Sequence, residues 1–115
     1  MKVKPDLESI ENLGMEFDIE RMQENAEQAS RLLRALANTQ RLRILCHLVG
    51  GELTVNQINK KVSLSQSALS QHLAILRRQR IVNTRRDAQT IYYTLAAGPA
   101  RSMLETLHII YCTNA

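Results

Sequence analysis

Two helix-start signals stand eleven residues apart in the segment TVNQINKKVSLSQSALSQHL (54–73), and they constrain the fold more than any other feature of the chain. A Thr or Ser hydroxyl just before a helix accepts a hydrogen bond from the first free backbone amides. Thr54 can therefore cap a short helix, VNQINKK, and Ser65 a longer one that runs to about Arg80. Only VSL is left between them, so the sequence predicts two helices joined by a tight turn.

The longer helix carries two faces of different chemistry. Leu69, Leu73 and Leu76 recur at helical spacing and form an apolar face. The second stripe is small and polar, and it consists of Ser67, Ser70, Gln71, Ala74 and Arg78. Serine is a mediocre helix former, so this stripe indicates a partner that needs short polar side chains. In a helix-turn-helix the second helix lies in the DNA major groove, where Gln71 can pair with an adenine edge.

A β-hairpin is predicted directly after this helix. Residues 82–86 and 90–95 alternate between apolar and polar side chains, with a bend at 87–89. Its inner face is expected to contain Ile91, Tyr93 and Leu95. We expect Arg85 and Arg86 at its tip to reach phosphates or a narrow minor groove. The predicted fold is therefore a winged helix-turn-helix, mainly α with a small β-hairpin.

Charge is distributed unevenly along the chain. Residues 1–30 hold eight acidic and three basic side chains (net −5), whereas residues 31–115 hold three acidic and twelve basic ones (net +9). A basic surface is suited to a polyanion but is often merely solvated, so the motif decides. The expected contacts to double-stranded DNA are Gln66, Ser67, Ser70, Gln71, Arg78, Arg85, Arg86 and Gln89.

The N-terminal part is expected to consist of a tail and two helices. Residues 1–15 are acidic and aperiodic, which predicts a flexible tail in front of a winged helix-turn-helix domain over 16–115. Apolar residues recur every three or four positions from about Glu16 to Leu36, which predicts the first helix. The second begins at the cap Asn38 and ends at Gly50–Gly51. Its inward residues are expected to be Leu42, Leu45 and Val49.

The last helix, PARSMLETLHIIYC, is predicted from its opening Gly98–Pro99 pair. Its wide apolar stripe consists of Met103, Leu104, Leu107, Ile110 and Tyr111. One small core does not need so much apolar surface, so a second protomer is the expected partner. The expected interface residues are Leu104, Leu107 and Tyr111.

Several classes of protein do not fit the sequence. No apolar run approaches the roughly 20 residues of a membrane span, and the N-terminus lacks the apolar block of a signal peptide. We therefore expect a cytoplasmic protein with no membrane partner. The chain has two cysteines, sixty-six residues apart, and hence no CxxC motif, which argues against a thiol-disulfide enzyme.

Three segments resemble, in the right order and at the right separation, the ArsR/SmtB family of bacterial winged-helix repressors. They are LLRALANTQRLRIL, LSQSALSQHLAILRRQRIV and RRDAQTIYYTL, within about residues 29–112. The segments RILCHL and IIYC are most similar to the HlyU/BigR branch of that family. The resemblance implies a homodimer formed by the first and last helices, bound to a near-palindromic operator. It also implies that Cys46 and Cys112 sense sulfane sulfur, persulfide or another oxidant, and that their linkage releases the operator.

The residues alone leave another role open for the cysteines. Cys46 follows Leu45 on a helix with a buried face, and such a cysteine is commonly a small core residue. Cys112 lies at the end of the last helix, where packing should thin out. The alternative function is therefore a metal- or ligand-responsive repressor with structural cysteines.

The sequence departs from the patterns of the family's metal sensors. The position of the CVC motif found in the family's metal sensors reads LTVNQI here, and the last helix has one histidine. We expect His47, His72 and His108 to be packing or surface residues, and we expect no cofactor and no metal. A zinc site made of Cys46, His47, His108 and Cys112 stays open, although adjacent helical residues diverge by about 100°. The alternatives from other classes are an interaction module and a thiol-disulfide enzyme on the same fold.

Overall fold

The computed structural model describes residues 16–113, and its fold is the predicted one, mostly helical with a small antiparallel sheet. The predicted tail, residues 1–15, lies outside the described residues. The chain divides into two compact units, of which the first ends at Ser30 and the second begins at Arg31. Among the described residues, no helix is long and apolar enough to cross a membrane.

The predicted first helix is interrupted. Helix α1 (Ile19–Glu24) begins after Asp18, whose Oδ1 accepts a hydrogen bond from the Arg21 amide at 3.0 Å. Helix α2 (Ala26–Leu36) follows after Asn25. The Nδ2 group of Asn25 donates to the Arg21 carbonyl at 2.9 Å. A short side chain that competes for backbone carbonyls favours such a break, so the prediction of one helix from Glu16 was wrong there.

Helix α3 (Thr39–Leu48) starts as predicted, because the Arg41 amide donates to Oδ1 of Asn38 at 3.0 Å. Its buried residues are Ile44, Leu45 and Leu48, while Leu42 is half-buried. Val49 was expected to face inward but is 48 % exposed. Leu48 occupies the core position, and the next residue points about 100° away from it.

The two helices of the central motif begin at the predicted caps. Helix α4 (Val55–Lys61) has a full capping box, in which Gln57 N–H donates to Thr54 Oγ1 and Thr54 N–H donates to Gln57 Oε1. Helix α5 (Gln66–Arg78) is capped by Ser65, whose Oγ accepts from the Ala68 amide at 3.1 Å. It ends two residues before the predicted end, and Arg80 has a left-handed φ of 61°. Its three leucines, Leu69, Leu73 and Leu76, are buried as predicted.

The sheet has one strand more than predicted. Strands β2 (Val82–Asp87) and β3 (Thr90–Leu95) form the hairpin, and β1 (Leu53–Thr54) pairs with the other edge of β3. All pairs are antiparallel. Strand β1 has only two residues, too few for the period-2 pattern that reveals a strand. The hairpin loop is shorter than predicted, since pairing continues to the residue before Ala88.

Helix α6 (Pro99–Cys112) begins where predicted, and Gly98 precedes it with a φ of 140° that favours glycine. Ala100 and Leu104 lie in the core together with side chains of the other elements of the second unit. That core includes Ala35, Leu36, Ile44, Leu45, Leu48, Ile58, Val62, Leu69, Leu73, Leu76, Ile81, Val82 and Leu95. The caps and this core hold the outer face of α5 in a fixed position.

Candidate nucleic-acid interface and thiol pair

The outer face of α5 consists of exposed side chains. Each predicted contact on this helix is exposed, namely Gln66, Ser67, Ser70, Gln71 and Arg78. Ala74, also exposed, keeps the middle of the face low. The side-chain amide of Gln71 makes no hydrogen bond to any other residue between 16 and 113, so its NH₂ donor and its oxygen acceptor are open to a partner. A helix surface of this kind matches direct readout in a major groove.

A groove of about 500 Å³ runs beside this face. It lies between the start of α4, the middle of α5 and strand β3, and it is lined by Val55, Ser70, Leu73, Ala74, Arg77, Arg78 and Tyr93. Three of the lining residues belong to the predicted polar stripe, so the groove and the stripe form one surface. Arg77 was not among the predicted contacts, because it is outside the stripe's spacing.

The two wing arginines lie on opposite faces of the sheet. Arg86 pairs with Ile91 and Arg85 with Tyr92, and side chains alternate between faces along a strand. Arg86 thus shares the core-side face of the sheet with Tyr93, which lines the groove. Neither arginine lies at the tip itself, which consists of Ala88 and the exposed Gln89.

Arg85 has an anionic partner that sequence reasoning missed. Its Nε donates to Oε2 of Glu52 and its Nη2 donates to Oε1, both at 2.7 Å. The guanidinium carbon also lies 4.2 Å from the centre of the Tyr92 ring. The hydrogen bond from Arg85 holds the pKa of Glu52 below its ordinary value of 4.5, and it raises the pKa of Arg85. The available signal was the scarcity of acids in residues 31–115, where Glu52 is one of three.

A second missed residue, Arg41, connects α3 with α2 and α5. Its Nε donates to the Ala35 carbonyl at 2.6 Å and its Nη2 to the Arg34 carbonyl at 3.1 Å. Its Nη1 lies 3.3 Å from Nδ1 of His72 on α5. Burial, and secondly the charge of Arg41, lower the pKa of His72 from its ordinary 6.5. His72 is thus a half-buried packing residue, as expected, and Arg41 fixes its orientation.

Both thiols are free and exposed. The reading of Cys46 as a core residue is therefore wrong, because Ile44, Leu45 and Leu48 form the buried side of α3. Cys112 is the last residue of α6. Between residues 16 and 113, no three His, Cys, Asp or Glu side chains lie close enough to hold a metal ion, so the four-residue zinc set is not assembled in this chain.

The apolar stripe of α6 emerges from the core toward its C-terminal end. Leu104 is 7 % exposed, Leu107 is half-buried and Tyr111 is 79 % exposed. Leu104 thus packs mainly in the chain's own core, while the large side chain of Tyr111 is exposed. Ile109, which was not predicted, is also exposed but lies on another side of the helix.

Comparison with known proteins places these features in a family. Residues 38–84 match the model described as "Bacterial regulatory protein, arsR family". The chain is 48 % identical to the transcriptional activator HlyU of Vibrio cholerae serotype O1, over 86 % of this chain and 92 % of that protein. It is 37 % identical to the biofilm growth-associated repressor of Agrobacterium fabrum, over 97 % of this chain and 95 % of that protein. The solved structure of reduced HlyU from Vibrio cholerae is 50 % identical and superposes with a TM-score of 0.75, over 82 % of this chain and 99 % of that one.

Proposed function

This chain belongs to the ArsR family of bacterial regulatory proteins, and on that premise we propose that it is a homodimeric repressor that releases its operator when Cys46 and Cys112 become linked. Membership makes the chain a DNA-binding transcriptional regulator and not an enzyme. The names of its relatives include an activator and a repressor. Repression, the dimer and the thiol switch are the parts proposed.

The observation that carries DNA recognition is the exposed polar face of α5, held by the caps of Thr54 and Ser65. The proposed base and backbone contacts are Gln66, Ser67, Ser70, Gln71, Arg78, Arg86 and Gln89. Ser70 and Ala74 let the helix axis approach the bases, and Arg86 lies on the groove side of the wing. Arg85 was predicted to join them, but its guanidinium is paired with Glu52.

The uncovered end of the α6 stripe supports the dimer. Tyr111 and Leu107 continue the buried row of Leu104 into solvent, and α1 and α2 also expose apolar side chains, among them Met22 and Leu33. A second copy would cover such surfaces. A two-fold dimer sets its recognition helices about 34 Å apart, one turn of DNA, so the operator is near-palindromic.

The exposure of both thiols supports the switch. Cys46 lies on α3, beside the helix-turn-helix, and Cys112 ends the proposed dimer helix. An oxidant converts one thiol to a sulfenic acid, and a sulfane-sulfur donor converts it to a persulfide. Attack by the other thiolate then forms a disulfide and releases water or hydrogen sulfide, respectively. Where the donor has converted both thiols to persulfides, attack of one persulfide on the other forms a trisulfide and releases hydrogen sulfide. The link would favour one placement of the helices and shift the recognition helices out of register with the half-sites.

The thiol switch is tested by Cys46→Ser and Cys112→Ser. Both variants are expected to fold and to bind the operator as the reduced protein does, but to keep it after treatment with a persulfide donor. Fluorescence anisotropy measures release, and mass spectrometry of the treated wild type identifies the cross-linked peptide. Ser102→Ala, which changes an exposed serine outside the proposed DNA contacts and leaves both thiols intact, serves as a control that still responds.

Normal release by Cys112→Ser would contradict the two-thiol mechanism and leave sensing to Cys46 or to another ligand. Release that persists in the double serine variant would favour the alternative, a metal- or ligand-responsive repressor with structural cysteines. Peroxide and persulfide are compared in parallel, because a disulfide needs Cα atoms within about 7 Å whereas a sulfur-bridged link spans a larger gap.

A further inference from the structure

Glu52 is an acidic residue that lies beside the wing and is paired with one of its two arginines. Residues 31–115 hold twelve basic and three acidic side chains, and two of those acids, Asp87 and Glu105, lie on the β2 strand and on α6. Glu52 stands just before β1, and its carboxylate accepts two hydrogen bonds from Arg85. The charge of Arg85 is thus neutralised by a carboxylate of the same chain.

The strand register explains how the pair forms. Thr54 is opposite Tyr92, and Tyr92 is opposite Arg85, so these three residues share one face of the sheet. Glu52 is two residues before Thr54 and falls on the same face by alternation. Arg85 therefore extends across β3, over the Tyr92 ring, to reach the carboxylate.

We propose that Glu52 lowers the affinity of the wing for DNA, because its carboxylate withholds Arg85 from the phosphate backbone. The proposal rests on the DNA-binding function given above. A carboxylate in bidentate contact occupies the guanidinium donors that would otherwise bind a phosphate. The Tyr92 ring covers one side of the guanidinium and keeps it in this position. The contact between Arg85 and DNA that the sequence predicts is then expected only when the Glu52 carboxylate is neutralised.

The consequence for affinity follows from the nature of non-specific binding. Affinity for random DNA comes almost entirely from cations that displace counterions, whereas operator affinity also includes contacts to bases. A phosphate contact withdrawn from each protomer therefore weakens binding to any sequence, and random DNA, to which base contacts contribute little, reports that loss directly. Because the pair is solvent-accessible, with side-chain exposures of 54 % for Arg85 and 32 % for Glu52, it adds little to stability, and its loss should not unfold the chain.

The test measures binding of a short random-sequence duplex by anisotropy between about 50 and 200 mM NaCl. Glu52→Gln is expected to bind it more tightly than the wild type, with a salt slope steeper by about 0.9 per protomer, the value for one additional phosphate contact. Glu105→Gln changes net charge equally on α6 and serves as the control. In the Arg85→Ala background, Glu52→Gln is expected to have no more effect than Glu105→Gln.

An unchanged slope in Glu52→Gln, an equal gain in Glu105→Gln, or a gain that persists without Arg85 would each overturn the proposal. Weaker binding by Glu52→Gln would overturn it as well, because it would identify the pair as an anchor of the wing. Circular dichroism of each variant confirms the fold. Failure of the DNA-binding function is a distinct result, since the wild type itself would then show no salt-dependent binding to the duplex.

Discussion

Helices α5 and α6 each leave one surface uncovered, and the two surfaces differ in chemistry. The outer face of α5 is made of short polar side chains around Gln71 and Ala74. The C-terminal end of α6 exposes Tyr111, a large apolar side chain in line with the buried Leu104. Both helices bury their other side in the same core.

The difference indicates two kinds of partner. A face of small polar groups gains little from burial against protein, but it can approach base edges and hydrogen-bond to them. An exposed aromatic side chain at the end of an apolar stripe gains from the removal of apolar area from water. We therefore assign DNA to α5 and a second copy of the chain to α6, and substitutions on each helix separate the two assignments.

The largest effect is expected from Tyr111→Asp. A charge in the proposed interface should leave a monomer at micromolar concentration, which sedimentation velocity detects. A monomer binds each operator half-site separately and loses the gain from simultaneous binding of both, so operator affinity should fall by roughly 10²- to 10⁴-fold. Thr106→Asp adds the same charge on another side of α6 and should remain dimeric. A Tyr111→Asp protein that stays dimeric would contradict the assignment of a second copy of the chain to α6.

A smaller effect is expected from Gln71→Ala on α5. Loss of a bidentate base contact should weaken operator binding by about 1–3 kcal/mol and relax the preference at one base pair, while binding to random DNA and the dimer are unchanged. Competition titrations against operators substituted at single positions measure both. Gln28→Ala, an exposed glutamine on α2, provides the matched control. Equal operator affinity in wild type and Gln71→Ala would take α5 out of base recognition.

Local signals account for the parts of the fold that the sequence predicted. Caps such as Thr54 and Ser65 act within one helical turn, and the spacing of the leucines on α5 is set by the helix itself. The starts of α3 and α6 follow from Asn38 and Pro99 for the same reason. These features can be predicted without knowing what the chain packs against.

The missed features depend on residues distant in sequence. Strand β1 exists only because Leu53 and Thr54 pair with β3, and Glu52 meets Arg85 through that pairing. The exposure of Cys46 depends on which of the adjacent apolar residues of α3 face the core. Leu48 is buried there, although the spacing of apolar residues is equally compatible with burial of Val49. Pattern alone does not select between two such helical phases.

The smallest expected effect concerns the inner side of α5, where His72 contacts Arg41. Neutral His72 accepts the Arg41 hydrogen through Nδ1, whereas protonated His72 would place two cations together. The pKa of His72 in the folded chain lies below the ordinary 6.5, chiefly because of burial and then because of Arg41. As pH falls below 6.5, the unfolded chain therefore binds the proton more readily, and the free energy of unfolding decreases until the folded chain is protonated too. Urea unfolding between about pH 8 and 5 measures this decrease in the free energy of unfolding. The wild type and His47→Gln, which changes an exposed histidine, should show the full decrease, and His72→Gln should show a smaller decrease. An equal pH dependence in all three proteins would show that His72 does not contribute to the pH dependence of the free energy of unfolding.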